Sequence, residues 1–493
     1  MNRQAQTVES SHHISRRDLL RLALAASSLP MAPWLVACAA QEDDGALPSP
    51  ASGAPAESTS TDFAAPTGDP LLDGLGELII PLDTVEPVDQ FGDLRSLAPL
   101  LSSASIVGLG EATHGTHEFF TLKHRLIRYL VEELGFTRLA VELPWSMAPV
   151  YDNYIQSTAA LEAVMASPYA WTWKTQETID MLAWLRRHNT GLEPARRVRL
   201  HGIDPQLSME AGTRSVLEFV GGVDAPAVAE FEGLYANATS EDETAWPAAL
   251  IDAELAFETL AGRREQYASS SSAEAFGEAV HAARIVVQTS TVRTARLEDP
   301  STALALRDEY MAENAVRLLN QGTGNERIVL WAHNQHVFTV RLADAPGPPM
   351  GLHLRQALGE AYAVIGFDFA VGGFMARTAS TTPAKTPAPN PVEAQTIEAA
   401  PQDSYAAKFE HLAPDAFILN LRDLDAASPV ADWLSDPHPV WSVGAVFNPP
   451  HSAGFTIALP VTDSFDALVF IRETTPSMVV PEASAGCRRL VLL

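Results

Sequence analysis

Short aliphatic and β-branched runs recur along the chain, and each breaks off at an acidic or imidazole side chain. SIVGLGEATHG reaches Glu111 and His114, TRLAVELPW reaches Glu142, and RVRLHGIDP reaches Asp204. Farther on, ERIVLWAHNQHV reaches His333 and His336, and AYAVIGFDF ends at Asp368. None of these runs alternates between apolar and polar positions, which is the pattern of strands covered on both faces, as in a parallel sheet. The segments between them space their apolar residues by three and four. In the clearest, Phe119, Leu122, Leu126, Ile127, Leu130, Val131 and Leu134 mark one helical face, with Thr116 placed as N-cap and Gly135 just past the end. The pattern predicts an α/β fold, a largely parallel β-sheet flanked by helices. Ligands of such sheets bind beyond the carboxyl ends of the strands, where the polar residues closing the five runs would gather.

Two stretches interrupt the alternation. Between about Arg214 and Pro300, three long runs keep helical spacing without a strand between them, predicting an inserted helical subdomain, about 214–300, that acts as a lid and sets substrate choice. Thr378 to Pro401, rich in Thr, Pro and Ala, reads as a mobile loop before strand-like and helical patterns resume at Phe417.

The N-terminus reads as an address. Ser15-Arg16-Arg17-Asp18-Leu19-Leu20 has the order of a twin-arginine signal, and Leu35-Val36-Ala37-Cys38 that of a lipoprotein cleavage box. The expectation is a signal peptide over 1–37, a lipid on Cys38, a flexible tether over 38–70 and a folded domain over 71–493. The chain would be exported and held on the outer face of a bacterial membrane or in the periplasm. Only Cys487 would then remain unmodified, so no internal disulfide is expected.

Across its 493 residues the chain is 46% hydrophobic and 19% charged, enough for a large core, and its formal net charge of −28 argues against nucleic acid as a partner. The stretch GLGEATHGTHEFF from Gly108 to Phe120 completes neither motif it begins. A dinucleotide turn would need Gly where Thr113 stands, and a zinc-protease helix would need a second His where Thr121 stands. The chain also lacks the G-x-S-x-G elbow of serine hydrolases, which leaves water as the expected nucleophile. His188, His201 and His353 fall outside any grouping, while Trp171 and Trp173 could line an apolar pocket.

GEATHGTHEF, VELPW, WTWKTQETIDMLAWLRRHN, GIDPQ, RDEYMAEN, WAHNQHV and SFDALVFIRETTP, in that order between about Leu71 and Pro476, resemble the erythromycin esterase family. The resemblance implies hydrolysis of carboxylic esters, with macrolide lactones as the family's best-known substrates, and no cofactor. It implies His114 as the base that activates water, Glu111 and Glu142 as its acidic partners, and His333 and His336 as the later imidazole pair. Lys123 stands where several relatives carry Arg, and with Arg125, Trp171, Trp173 and Arg307 it is expected at the substrate. Asp308 falls in a matching segment beside Arg307. The chemistry is sensible independently, because a base working near neutral pH should be an imidazole. Two other readings stay open. Glu111, His114, His117, Glu142, His333 and His336 have the ligand types for zinc or manganese if they converge. An exported lipoprotein of this kind could also bind a ligand without turning it over. The expected partners are a small-molecule ester and, through the lipid on Cys38, a membrane.

Overall fold

The computed structural model describes residues 68–167, 171–321, 326–378 and 391–480. The expected signal peptide, Cys38, Cys487 and all of the expected tether up to residue 67 lie outside these. The first described helix, Pro70–Leu78, is capped by Asp69, whose carboxylate also pairs with Lys408 at 2.6 Å.

The strands are β1 (Ile79–Pro81), β2 (Ile106–Leu109), β3 (Arg138–Pro144), β4 (Arg199–Asp204), β5 (Ile328–Trp331), β6 (Tyr362–Thr378), β7 (Val392–Ile397), β8 (Ala416–Asn420), β9 (His438–Trp441), β10 (Val446–Phe447), β11 (Thr456–Leu459) and β12 (Ala467–Thr474). One sheet has the order β1-β8-β12-β6-β2-β5-β3-β4, with β7 and β10 also paired to β6; β9 and β11 form a separate ribbon. From β12 to β4 every neighbouring pair is parallel, while β1, β7 and β8 pair antiparallel. The five strands foreseen from the apolar runs are therefore consecutive neighbours, β6-β2-β5-β3-β4, in a mixed, mostly parallel sheet.

Both faces are covered, as the unalternated runs require. Successive strand residues point to opposite sides, so Val107 and Leu109 pack with Phe119, Leu122 and Leu126 of the helix His117–Glu132, whereas Ile106 packs with Met311 and Ala315 of the helix Pro300–Leu319. Removing one such side chain, as in Leu126→Ala, would cost about 2–5 kcal/mol. The helix His117–Glu132 starts at Thr116 and is followed by Gly135 at φ +74°, as expected. Gly115 is required by contact, since a Cβ there would collide with the Met375 carbonyl of β6.

Two expectations change. Val392–Ile397, inside the stretch read as a mobile loop, is a strand antiparallel to the long end of β6. Its Thr396, Gln395 and Ala394 complete the edge hydrogen bonds that Gly373–Met375 would otherwise expose. Asp368 lies within β6 and not at its end, because that strand continues to Thr378.

The region about 214–300 is helical, with its main helices at Met209–Val223, Trp246–Gly262 and Ala273–Glu298. Val216, Val220, Phe231, Leu260, Tyr267 and Phe276 give it an apolar core of its own. Thr289 ties it to the sheet by donating to the Pro205 carbonyl just past β4.

Candidate active site

Glu111 and His114 follow β2, Glu142 lies on β3, Asp204 ends β4, and His333 and His336 follow β5. Parallel neighbours bring these ends to one edge, where all but the buried Asp204 line a cleft with two chambers that share His114 and Glu142.

His114 Nδ1–H donates to Glu111 at 2.6 Å. The other Glu111 oxygen accepts from Trp331 Nε1–H at 2.9 Å and from Lys123. Burial alone would raise the Glu111 pKa; the Lys123 ammonium and the His114 hydrogen bond outweigh it and hold the acid at about 2. Burial lowers the Lys123 pKa to about 8 despite Glu111, and its Nζ sits 4.0 Å over the Trp331 ring. Glu111 is thus a fixed anion that holds the proton of His114 on Nδ1. Nε2 is left as an acceptor beside Gly444 at the cleft, without a hydrogen-bond partner among the described residues.

A second network faces the first. Arg307 donates from Nε and Nη2 to Asp204 at 3.1 and 2.8 Å, and from Nη2 to Glu142 at 2.7 Å. The remaining Glu142 oxygen accepts from the His333 backbone N–H at 3.0 Å. Burial opposes its charge, but His336 and Arg307 keep Glu142 well below the usual carboxylate range. His336 Nδ1–H donates to Asp308 at 2.6 Å, and Nε2 lies 3.3 Å from Glu142 and 3.1 Å from Arg307. The Arg307 contact would suit a neutral ring accepting at Nε2. Against it, Asp308 and Glu142 outweigh burial and raise the His336 pKa to about 10, so the cation is the form favoured.

His333 occupies a different role from its partner in sequence. Its Nδ1 accepts from the Gln335 N–H at 3.2 Å, while Nε2–H points to the Val443 and Ala112 carbonyls at 3.2 and 3.4 Å. Burial, reinforced by the neighbouring His114, pushes its pKa down to about 3. Both ring nitrogens are committed to backbone, so the neutral ring packs 5.0 Å from His114 and steadies it.

Four other expected site residues lie away from the cleft surface. Lys123 is wholly buried behind Glu111. Arg125 is turned to the far side, where Asp93 and the Thr84 and Gln90 carbonyls take its guanidinium. Trp173 lines the inner chamber but Trp171 does not. His117 pairs with Glu177 at 2.8 Å and approaches Glu86, so the six-residue ligand set does not converge. Among the described residues no group of three or more His, Cys, Asp or Glu side chains is arranged to hold a metal ion. Arg307 does line the outer chamber, and Asp308, foreseen only as a segment match, orients His336. Trp331 was missed, although it stands two positions before His333. Gly444 and Ala445 were also missed, and nothing in their local sequence marks them.

A carboxylate–imidazole pair with a buried acid and an arginine–carboxylate network, both at the ends of parallel strands, give this α/β protein a polar acid–base site. The family profile described as erythromycin esterase matches residues 131–474, more than half of the chain, and the chain belongs to that family of hydrolases. The match includes Glu142, Arg307, His333 and His336 and starts downstream of Glu111 and His114. The chain is 28% identical to erythromycin esterase type II of Escherichia coli over 125 residues, 25% of this chain and 29% of that one. It is 24% identical to erythromycin esterase type I of the same organism over 292 residues, 54% of this chain and 71% of that one. The fold superposes on the crystal structure of a Bacillus cereus protein with a TM-score of 0.74 and 26% identity, covering 85% of this chain and all of the other.

Proposed function

We propose that the chain hydrolyses a carboxylic ester by direct attack of water activated at His114. The observation that carries this reading is the Glu111–His114 pair, which leaves Nε2 as an acceptor at the junction of the two chambers. His114 Nε2 takes a proton from water as the water oxygen bonds the ester carbonyl carbon. The tetrahedral intermediate then collapses, its C–O bond to the alcohol breaks, and the proton returns from His114 to the departing oxygen. Positive charge on Arg307 and His336 across the cleft stabilises the negative charge that builds up on the carbonyl oxygen. The names of the relatives make a macrolide lactone a substrate worth testing beside simple esters.

The test is hydrolysis of esters and of a macrolactone by the purified chain and by His114→Ala. Loss of about 10²- to 10⁴-fold in kcat/KM is expected on removing the base. A variant as active as the parent would assign the base elsewhere.

A further inference from the structure

The two chambers that meet at His114 differ in size and in lining. The inner one, about 80 Å³, is walled by Phe120, Trp173 and Trp331 and floored by Thr172, Ala332 and Ala445. The outer one, about 420 Å³, is bounded by apolar side chains such as Leu304, Phe338 and Ile457, and it carries Arg307, Asp308 and His336 on one wall.

A water's share of liquid volume is roughly 30 Å³, so a chamber of about 80 Å³ has room for a short acyl group of roughly two to four carbons and not for a long one. Its two carboxylates are already engaged, Glu111 by His114, Lys123 and Trp331, and Glu142 by Arg307 and the His333 backbone. An anion would be repelled there, and a short neutral group buries its apolar surface against the three rings.

Orientation follows from where negative charge develops. The carbonyl oxygen and, until His114 returns its proton, the departing alcohol oxygen both gain negative charge, and the cationic side chains stand in the outer chamber; among the described residues lining the inner chamber, Thr172 is the one hydroxyl and there is no cation. Resting on the ester-hydrolase reading above, we infer that the enzyme is built for acyclic esters of short aliphatic acids: the acyl group enters the inner chamber and a bulky, largely apolar alcohol fills the outer one. A macrolactone fits this arrangement poorly, because its ring ties both arms together and cannot send one alone into the inner chamber.

The experiment uses the purified full chain with two ester series. In one, the alcohol is p-nitrophenol and the acid grows from acetate to octanoate. In the other, the acid is butyrate and the alcohol grows from methanol to naphthol. Expected is a kcat/KM maximum at two to four acyl carbons and at least a tenfold fall by octanoate, with little penalty for the larger alcohols and slower opening of a macrolactone. Ala445→Leu, which fills the chamber, should move the optimum toward acetate, and Trp173→Ala, which enlarges it, toward hexanoate. The second variant reads the chamber independently if the first fails to fold. His114-dependent hydrolysis with a flat or long-chain acyl profile, or with tight selection on the alcohol instead, overturns the chamber assignment and leaves the ester-hydrolase reading standing. Ester hydrolysis that survives His114→Ala, or none at all, overturns that underlying reading.

Discussion

The Lys123 ammonium and the Glu111 carboxylate form an ion pair buried directly behind His114, with no surface of Lys123 exposed. The pair keeps Glu111 ionised in a place where burial alone would protonate it. Lys123→Met should therefore leave a buried acid without its counter-charge and destabilise the fold by about 3–5 kcal/mol. The acid limb of the pH profile of kcat/KM should also move up, because Glu111 loses the cation that holds its pKa down. Lys123→Arg, which keeps the charge, should hold the limb in place. An unmoved limb in Lys123→Met would show that Glu111 does not govern the base.

Glu111→Gln tests the proton's location. The amide oxygen can still accept from Lys123 and Trp331, which turns the NH₂ toward His114 and forces Nδ1 to accept. The ring proton then sits on Nε2, where the acceptor is needed, and kcat should fall by about 10²- to 10⁴-fold while KM changes little. Nitrogen chemical shifts of the His114 ring would report the exchange of tautomer directly.

Arg307 is shared by Asp204 and Glu142. Arg307→Met leaves both acids buried and should cost about 3–5 kcal/mol in a denaturant titration. Adding Asp204→Asn should recover part of that loss, because one of the two stranded charges is removed; strictly additive losses would contradict the coupling.

Asp368 supplies a pH signature outside the cleft. Its Oδ1 accepts from the Trp441 N–H at 3.1 Å, but Oδ2 is buried without a partner, and burial pushes its pKa up to about 7. The folded pKa lies above the unfolded one, so this group's contribution to stability is full below the ordinary carboxylate pKa and is lost as pH rises through about 7. Asp368→Asn, which cannot ionise, should melt above the parent at pH 8 and lose that advantage near pH 4. Melting curves at the two pH values decide the matter; an advantage independent of pH would refute the raised pKa.

Cys38 carries the export proposal. In a host that processes lipoproteins, Cys38→Ala should shift the chain from the membrane pellet to the soluble fraction, and Arg16→Lys with Arg17→Lys should retain it in the cytoplasm. A parent chain already soluble on fractionation would contradict the anchor.

Much of the site was legible because it follows the strands. Glu111, His114, Glu142, Asp204, His333 and His336 each close an apolar run, and parallel strands deliver such endings to one edge whatever their separation in sequence. Asp368 closes a run as well, yet β6 passes through it toward β7, and the extension leaves it buried under Trp441. The inserted helices were visible from spacing, but the cleft wall nearest them comes from Leu304, Arg307 and Asp308 on the following helix. No local pattern distinguishes a helix that packs on its own subdomain from one that overlooks the strand ends.

By itself, the sequence determined that a mostly parallel sheet would form and which polar residues would stand at its rim. Unalternated apolar runs are stable only when covered on both faces, and that condition is local to each strand. Only the tertiary structure decided what those residues can do. His114 and His333 are the same side chain at equivalent strand ends, but Glu111 leaves one an acceptor nitrogen at the cleft while the carbonyls of Ala112 and Val443 occupy the other. Lys123 and Arg307 are both buried cations, one sealed behind its acid and the other lining the cleft. Hydrogen-bonding capacity and charge state depend on partners far away in sequence, such as Trp331 on Glu111, 220 positions apart, and those partners meet only once the sheet has assembled.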